Sequence, residues 1–187
     1  QVKQLLRTAQ ESRSMVLIDE AYHLFYPHTV IQLTKEFSNL LVSRTFSKAW
    51  GVAGLRVGYL VANPELMQLI HKNRPMYEVS TLSSELLYLW LDHKSEVLKS
   101  VGRLLLGKQQ FVEAMTGMGF SCPVSHGNFV HVKFDSFEKR AAELLRDVVL
   151  YRSSYPSGNC LHGYSRFSLG TPEQMETIAN RLKWGAV

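Results

Sequence analysis

The sequence predicts an α/β fold: part of a mixed, mostly parallel sheet with flanking helices, followed by a small C-terminal α+β domain. Three observations predict it. Short apolar runs at Met15–Ile18, Leu40–Val42 and Val57–Ala62 each stop at a polar or Pro-containing turn, as strands do. Helical periodicity fills 2–12, 65–74, 81–93 and, at unusual length, 95–118. Beyond residue 119 the pattern changes to alternating strands and amphipathic helices. The bounds agree, because 187 residues with 45% hydrophobic and 20% charged side chains suffice for a sizeable core in one domain or two small ones.

Each element follows in order. Val2, Leu5, Leu6 and Ala9 have helix spacing. Met15–Ile18 reads as a strand buried on both faces, ending abruptly at Asp19-Glu20-Ala21-Tyr22. A loop around Pro27 and a short helix within 30–38 lead to Leu40–Val42, which opens a second strand with Ser43–Lys48 as its polar end. The return between Lys48 and Arg56 is too tight for a helical crossover, so Val57–Ala62 is expected to run antiparallel. Asn63-Pro64 ends that strand and starts a helix. Residues 74–81 read as a loop, and the 95–118 helix, long enough to bridge two lobes, stops at Gly117–Gly119. Phe129–Phe134 alternates as a half-buried strand does, 136–147 is an amphipathic helix, and Val148–Arg152 and Tyr164–Leu169 are strands around a Ser/Gly/Pro-rich loop. Thr171-Pro172 caps and starts the last helix. The expected organisation is 1–95 as part of a large domain, 96–118 as a linking helix and 119–187 as a small domain.

Several function classes are disfavoured. No apolar run approaches the ~20 residues of a membrane span. The first residues lack a signal-peptide pattern and an initiator Met. The net charge of +5 is scattered, with no Lys/Arg run longer than two, so nucleic acid is not an expected partner. Cys122 and Cys160 have no metal or redox spacing and read as free thiols in a reducing cytosol. His23, His28, His126, His131 and His162 have no metal spacing and read as ordinary polar positions, and Phe46 and Trp50 as core.

The polar residues at the strand ends are Asp19, Tyr22, Ser43, Thr45, Ser47, Lys48 and Arg56. In open α/β sheets ligands bind at the carboxyl ends of strands. An aldehyde cofactor such as pyridoxal phosphate needs an amine, which Lys48 offers. Its ring nitrogen needs a carboxylate, which Asp19 offers, and its ring oxygen a donor, which Tyr22 offers. Its phosphate needs hydroxyls and a fixed cation, which Thr45, Ser47 and Arg56 offer. Glu20 reads as structural.

V-L-I-D-E-A-Y followed by S-R-T-F-S-K-A-W-G-V-A-G-L-R-V-G-Y resembles the fold-type I pyridoxal-phosphate enzymes, and within them the histidinol-phosphate branch of the class I/II aminotransferases. The resemblance implies that Asp19 pairs with the pyridine nitrogen, Tyr22 with the ring hydroxyl, and Ser47 and Arg56 with the phosphate, while Lys48 is the catalytic lysine. Downstream, Y-S-R-F-S-L-G-T resembles the segment whose arginine clamps the substrate carboxylate, which assigns that role to Arg166. Asn128 in H-G-N-F-V resembles a strand start facing the substrate. Arg152, before the Ser-rich loop, is a candidate for a substrate's side-chain phosphate or acid, and Tyr77 either lines the pocket or packs. The family implies an amino donor and a keto-acid acceptor, a cytoplasmic location and a homodimer of the full-length protein.

The resemblance covers nearly the whole chain but only the C-terminal half of the family's pattern. The family's glycine-containing phosphate loop, ring-stacking aromatic and ring-oxygen asparagine have no counterpart, so a half-sheet with an uncovered edge is expected. Three readings stay open: a transaminase, a phospho-amino-acid decarboxylase with the same motifs, and a non-catalytic sensor domain of a transcription regulator.

Overall fold

The computed structural model describes residues 1–185 and divides into two compact units, Gln1–Val97 and Leu98 onward. The first unit opens with helix α1 (Val2–Glu11). Its apolar stripe buries Leu6 completely, and the helix ends where Arg13 takes a positive φ of 52° and Ser14 N–H reaches back to Ala9 O at 2.7 Å. Strand β1 (Val16–Asp19) pairs in parallel with β2 (Leu40–Thr45), and β2 pairs antiparallel with β3 (Gly58–Ala62), giving a sheet of order β1-β2-β3. The tight return between β2 and β3 therefore has the predicted sense. The expected helix within 30–38 is a short 3-10 turn, Ile31–Lys35. Buried Asn39 ties the start of β2 to α1 by donating Nδ2 to Leu6 O and Ser14 O, both at 3.2 Å.

One expectation fails here. β1 is not buried on both faces: Val16 and Ile18 join Leu6, Phe37, Leu40 and Val42 in one hydrophobic cluster, while Leu17 is 61% exposed. The cause is that the unit's core lies on one side of the sheet only. Leu17, Asp19, Ser43 and Leu60 share the other side by strand register. Helix α2 (Pro64–His71) starts where Asn63 Oδ1 accepts from Glu65 N–H at 2.9 Å, and α3 (Thr81–Leu91) where Ser80 Oγ accepts from Ser83 N–H at 3.1 Å.

Helix α4 (Lys94–Gly117) runs into the second unit, and Phe111 and Met115 of this helix lie in that unit's core. Gly119, at φ +87°, closes it: Gly119 N–H bonds Thr116 O and Phe120 N–H bonds Met115 O, which satisfies the last carbonyls. Strands β4 (Phe129–Lys133) and β5 (Tyr164–Ser168) pair antiparallel, and α5 (Glu138–Leu145) and α6 (Pro172–Lys183) pack with them around Val130, Val132, Phe167, Met175 and Leu182. Thr171 N–H donates to Gln174 Oε1 at 2.9 Å, so the predicted start of α6 is in place.

Two expectations are corrected in this unit. β4 is not half-buried: Val130, His131 and Val132 are all buried, because Tyr155, from the loop between α5 and β5, meets His131 on the face away from the core. Val148–Arg152 is not a strand: only Arg152 pairs, through a bridge to Arg166. Val148 and Val149 instead bond their N–H groups back to Leu145 O and extend the end of α5.

A glycine fixes how closely α4 approaches the end of β5. A Cβ at Gly107 would sit 2.7 Å from Gly170 O and 3.0 Å from Pro172 N, both backbone atoms. Gly to Ala normally stabilises a helix interior by about 1 kcal/mol. Here the clash reverses the sign: Gly107→Ala should destabilise by about 1–2 kcal/mol, read as a lower midpoint in chemical denaturation.

Candidate active site

The first unit gathers most of the residues singled out above. Asp19 ends β1 directly opposite Ser43 of β2. Its Oδ1 accepts from Ser43 Oγ at 3.1 Å and from Ala21 N–H at 2.9 Å. The carboxylate is thus anchored on the exposed side of the sheet, at the carboxyl end of a strand. The turn that the Ala21 bond shapes carries Tyr22, and Lys48 Nζ lies 5.8 Å from the centre of the Tyr22 ring. The D-E-A-Y and S-K turns therefore converge. Among the described residues no carboxylate pairs with the Lys48 amine.

Thr45, the last residue of β2, joins the two ends of the return. Its Oγ1 accepts from Ser47 N–H at 3.1 Å and donates to Val57 O at 3.4 Å, and Phe46 N–H donates to the same carbonyl at 3.1 Å. Phe46 is buried and meets Trp50 edge-on at 5.5 Å, as core. Arg56 sits at φ +57°, ψ +39°, the left-handed region. That conformation costs a side-chain-bearing residue ~1–2 kcal/mol, and such costs collect at functional sites. Its Nη1 donates to Ala53 O at 3.2 Å, and no carboxylate among the described residues neutralises it.

A second layer holds these turns in place. Glu20 and Arg44 form an ion pair with side chains only 10% and 11% exposed, Oε2 lying 2.8 Å from Nη2 and 3.0 Å from Nε. Arg44 also reaches Thr29 Oγ1 at 2.7 Å and Tyr59 OH of β3 at 3.3 Å. Glu20 further accepts from Val30 N–H at 2.7 Å and from the Thr29 hydroxyl. Burial pushes the Glu20 pKa up, but these donors outweigh it and hold its carboxyl below the ordinary value. His23, on the same turn, is held below its ordinary pKa by burial and by the Arg44 charge. Arg44 carried no signal in the sequence, because its partners stand 24, 15 and 15 residues away.

In the second unit Arg166 lies on β5 opposite His131 of β4, and its guanidinium carbon is 4.4 Å from the centre of the Phe129 ring. Arg152 and Arg166 exchange two backbone hydrogen bonds, at 3.1 and 2.8 Å, so they face each other directly. Like charges placed so are destabilising, and among the described residues neither guanidinium has a carboxylate partner. Asn128 precedes β4, and its carbonyl accepts from Leu169 N–H at 3.0 Å. Lys108 of α4 holds the turn just before it, donating to Ser125 O at 2.7 Å and Gly127 O at 3.2 Å, and burial lowers its pKa. Tyr77 stands 89% exposed between α2 and α3, and its side chain makes no hydrogen bond among the described residues. Cys122 is half-buried, and burial pushes its thiol up to about 11, while Cys160 is exposed. Among the described residues no helix is long and apolar enough to cross a membrane.

Comparison with known proteins gives the frame for this geometry. The sequence profile of the family "Aminotransferase class I and II" matches residues 1–182. A histidinol-phosphate aminotransferase of Bacillus subtilis (strain 168) is 37% identical over 176 residues, which is 89% of this chain and 47% of the relative. The structure of histidinol-phosphate aminotransferase from Sinorhizobium meliloti, in complex with pyridoxal-5'-phosphate, aligns with a TM-score of 0.80 at 22% identity, over 98% of this chain and 52% of that one. That of L-threonine-O-3-phosphate decarboxylase from Porphyromonas gingivalis aligns with a TM-score of 0.80 at 21% identity, over 98% and 57%. At such identities the structural likeness shows the fold. The chain spans about half the length of the curated relatives it matches.

The Glu20–Arg44 pair gives a test. Removing one partner of a buried ion pair strands the other charge, so Arg44→Met should cost about 3 kcal/mol in the first unit, read by denaturation. Because the Glu20 pKa is depressed on folding, its contribution is complete above the ordinary carboxylate value and is lost as pH falls through the lower folded value. Glu20→Gln should flatten that acid limb of the stability profile.

Proposed function

This chain belongs to the class I and II aminotransferase family, and from that premise we propose that it carries the lysine-bearing part of a pyridoxal-phosphate-dependent transaminase. Its substrate is an amino acid or amino-acid-like amine, with histidinol phosphate the specific candidate. The observation that carries the proposal is the convergence of the Asp19–Tyr22 turn on Lys48, with Arg56 held at a strained backbone position beyond it.

The donor set fits the cofactor by its chemistry. An amine without a carboxylate partner suits an aldehyde, an anchored carboxylate a ring nitrogen, and hydroxyls with a guanidinium a phosphate. When bound, pyridoxal phosphate supplies the electron sink that acidifies the substrate Cα–H. Asp19 would keep the ring nitrogen protonated, Tyr22 would donate to the ring oxygen, and Thr45, Ser47 and Arg56 would hold the phosphate. Lys48 would bind the aldehyde and, once displaced by the substrate amine, take the proton from Cα. Arg166 would fix the substrate carboxylate and so orient the Cα–H bond. Arg152 would take an anionic side chain, and the direct backbone pairing of two arginines without carboxylate partners among the described residues supports that division. Asn128 and Tyr77 complete the proposed substrate residues. In this reading residues 1–95 belong to the cofactor domain, 96–118 link, and 119–187 form the small domain. The whole protein uses an amino donor and a keto-acid acceptor, works in the cytoplasm and acts as a homodimer.

Borohydride treatment of the protein mixed with pyridoxal phosphate tests the assignment. The wild-type chain should gain a covalent adduct on Lys48 by peptide mass mapping, and Lys48→Ala none. A wild-type chain that stays unmodified, or is modified elsewhere, would overturn it. Product analysis of the full-length protein then separates chemistries: keto-compound release supports transamination, and carbon dioxide release points to a decarboxylase.

A further inference from the structure

His131 reads from sequence as an ordinary polar residue, yet it is 7% exposed and lies in a row with both arginines. Strand register places His131 opposite Arg166, and Arg166 in turn opposite Arg152. Directly paired residues project to the same side of a sheet, so the order along this face is His131, Arg166, Arg152. The His131 Nε2 is hydrogen-bonded to Tyr155 OH at 3.1 Å, and the two ring centres are 5.7 Å apart. The imidazole also meets the Phe129 ring edge-on at 5.2 Å.

Tyr155 in turn connects to the outer arginine. The Arg152 guanidinium carbon lies 5.5 Å from the centre of the Tyr155 ring. The loop carrying Tyr155 is closed on itself, with Tyr155 bridged to His162 and its carbonyl 2.9 Å from His162 Nδ1. Arg166 is seated on Phe129, inside regular strand pairing. Arg152 is exposed, lies outside any regular strand, and among the described residues has only the bridge and the Tyr155 ring to fix it.

Resting on the anion-binding reading of Arg152 and Arg166, we infer that His131 and Tyr155 are positioning residues: the His131–Tyr155 hydrogen bond sets the ring on which the Arg152 guanidinium lies, and so sets the distance between the two cations. His131 has to be neutral to do this without adding a third charge. Burial lowers its pKa, and the charges of Arg166 and Lys108 lower it further. A long, exposed arginine loses much rotamer freedom when it binds an anion. A ring held from behind removes part of that freedom beforehand, which raises affinity without a new contact to the ligand.

The test uses the full chain, inorganic phosphate as the probe, and NMR of the arginine Nε–H groups. Tyr155→Phe keeps the ring and removes only the hydroxyl. His131→Leu removes the partner, and His131→Gln keeps a hydrogen-bonding group there. In the wild type, phosphate should shift the Nε–H signals of both Arg152 and Arg166. Tyr155→Phe and His131→Leu should each bind phosphate about five-fold more weakly, as expected for one hydrogen bond. The double variant should be no weaker than either single one, and His131→Gln should recover part of the loss. If both variants bind like the wild type while Arg152→Ala does not, the positioning role is overturned and the anion site stands. If phosphate shifts neither arginine in the wild type, the anion site itself fails, and the inference with it.

Discussion

The buried Glu20–Arg44 pair is the constraint on which the first unit's site depends. Glu20 follows Asp19 directly, and Arg44 comes from the strand paired with β1. Their bond therefore fixes the end of one strand against its neighbour within hydrogen-bond tolerance. Arg44 extends the same constraint to β3 through Tyr59 and to the crossover through Thr29. A buried ion pair is weak evidence of net stability, since desolvation offsets much of its attraction. Its value here is geometric: side chains on opposite faces of the sheet divide the work, with Glu20 and Arg44 holding the frame while Asp19 and Ser43 meet on the exposed side.

Most of the fold was legible because it follows from local rules. The abrupt end of the Met15–Ile18 run at Asp19, the Asn63-Pro64 start of α2 and the Thr171-Pro172 start of α6 are statements about neighbours in sequence, and the structure has a strand over Val16–Asp19 and helices starting at Pro64 and Pro172. The errors arose where burial is decided by distant parts of the chain. A run of apolar residues in β1 suggests cover on both faces, but Leu17 is open to solvent. Alternation over Phe129–Phe134 suggests one open face, but a loop more than twenty residues on places Tyr155 over His131. Val148–Arg152 has the composition of a strand, yet it lies at the end of a helix and pairs only at Arg152.

The candidate site divides the same way. Asp19, Tyr22, Ser47, Lys48 and Arg56 were legible because their residue types and order mark them, and the resemblance to a family assigned them roles. Arg44, His131 and Tyr155 were not, because what distinguishes them is a partner far away in sequence and a position inside the structure. Two of the features that look worst by local rules fall on residues proposed to bind anions: Arg56 at positive φ in the first unit, and Arg152 and Arg166 set directly opposite each other on paired backbone in the second. Positive φ alone does not mark function, since Arg13, Leu24 and Asp135 share it; what fits a binding role is its coincidence with a guanidinium that has no carboxylate partner among the described residues.

Arg56 shows what such a conflict means for variation at one position. Its backbone conformation favours glycine, and asparagine next, while its guanidinium is what a phosphate would need. Selection for stability and selection for binding thus pull on the same codon in opposite directions. Substitutions there cannot be ranked on one scale: the replacement that folds best discards the charge, and lysine, which keeps the charge, keeps the strain as well. A population of sequences screened only for solubility would drift away from arginine at this site, and, on the proposed phosphate-holding role of Arg56, one screened for cofactor retention would not.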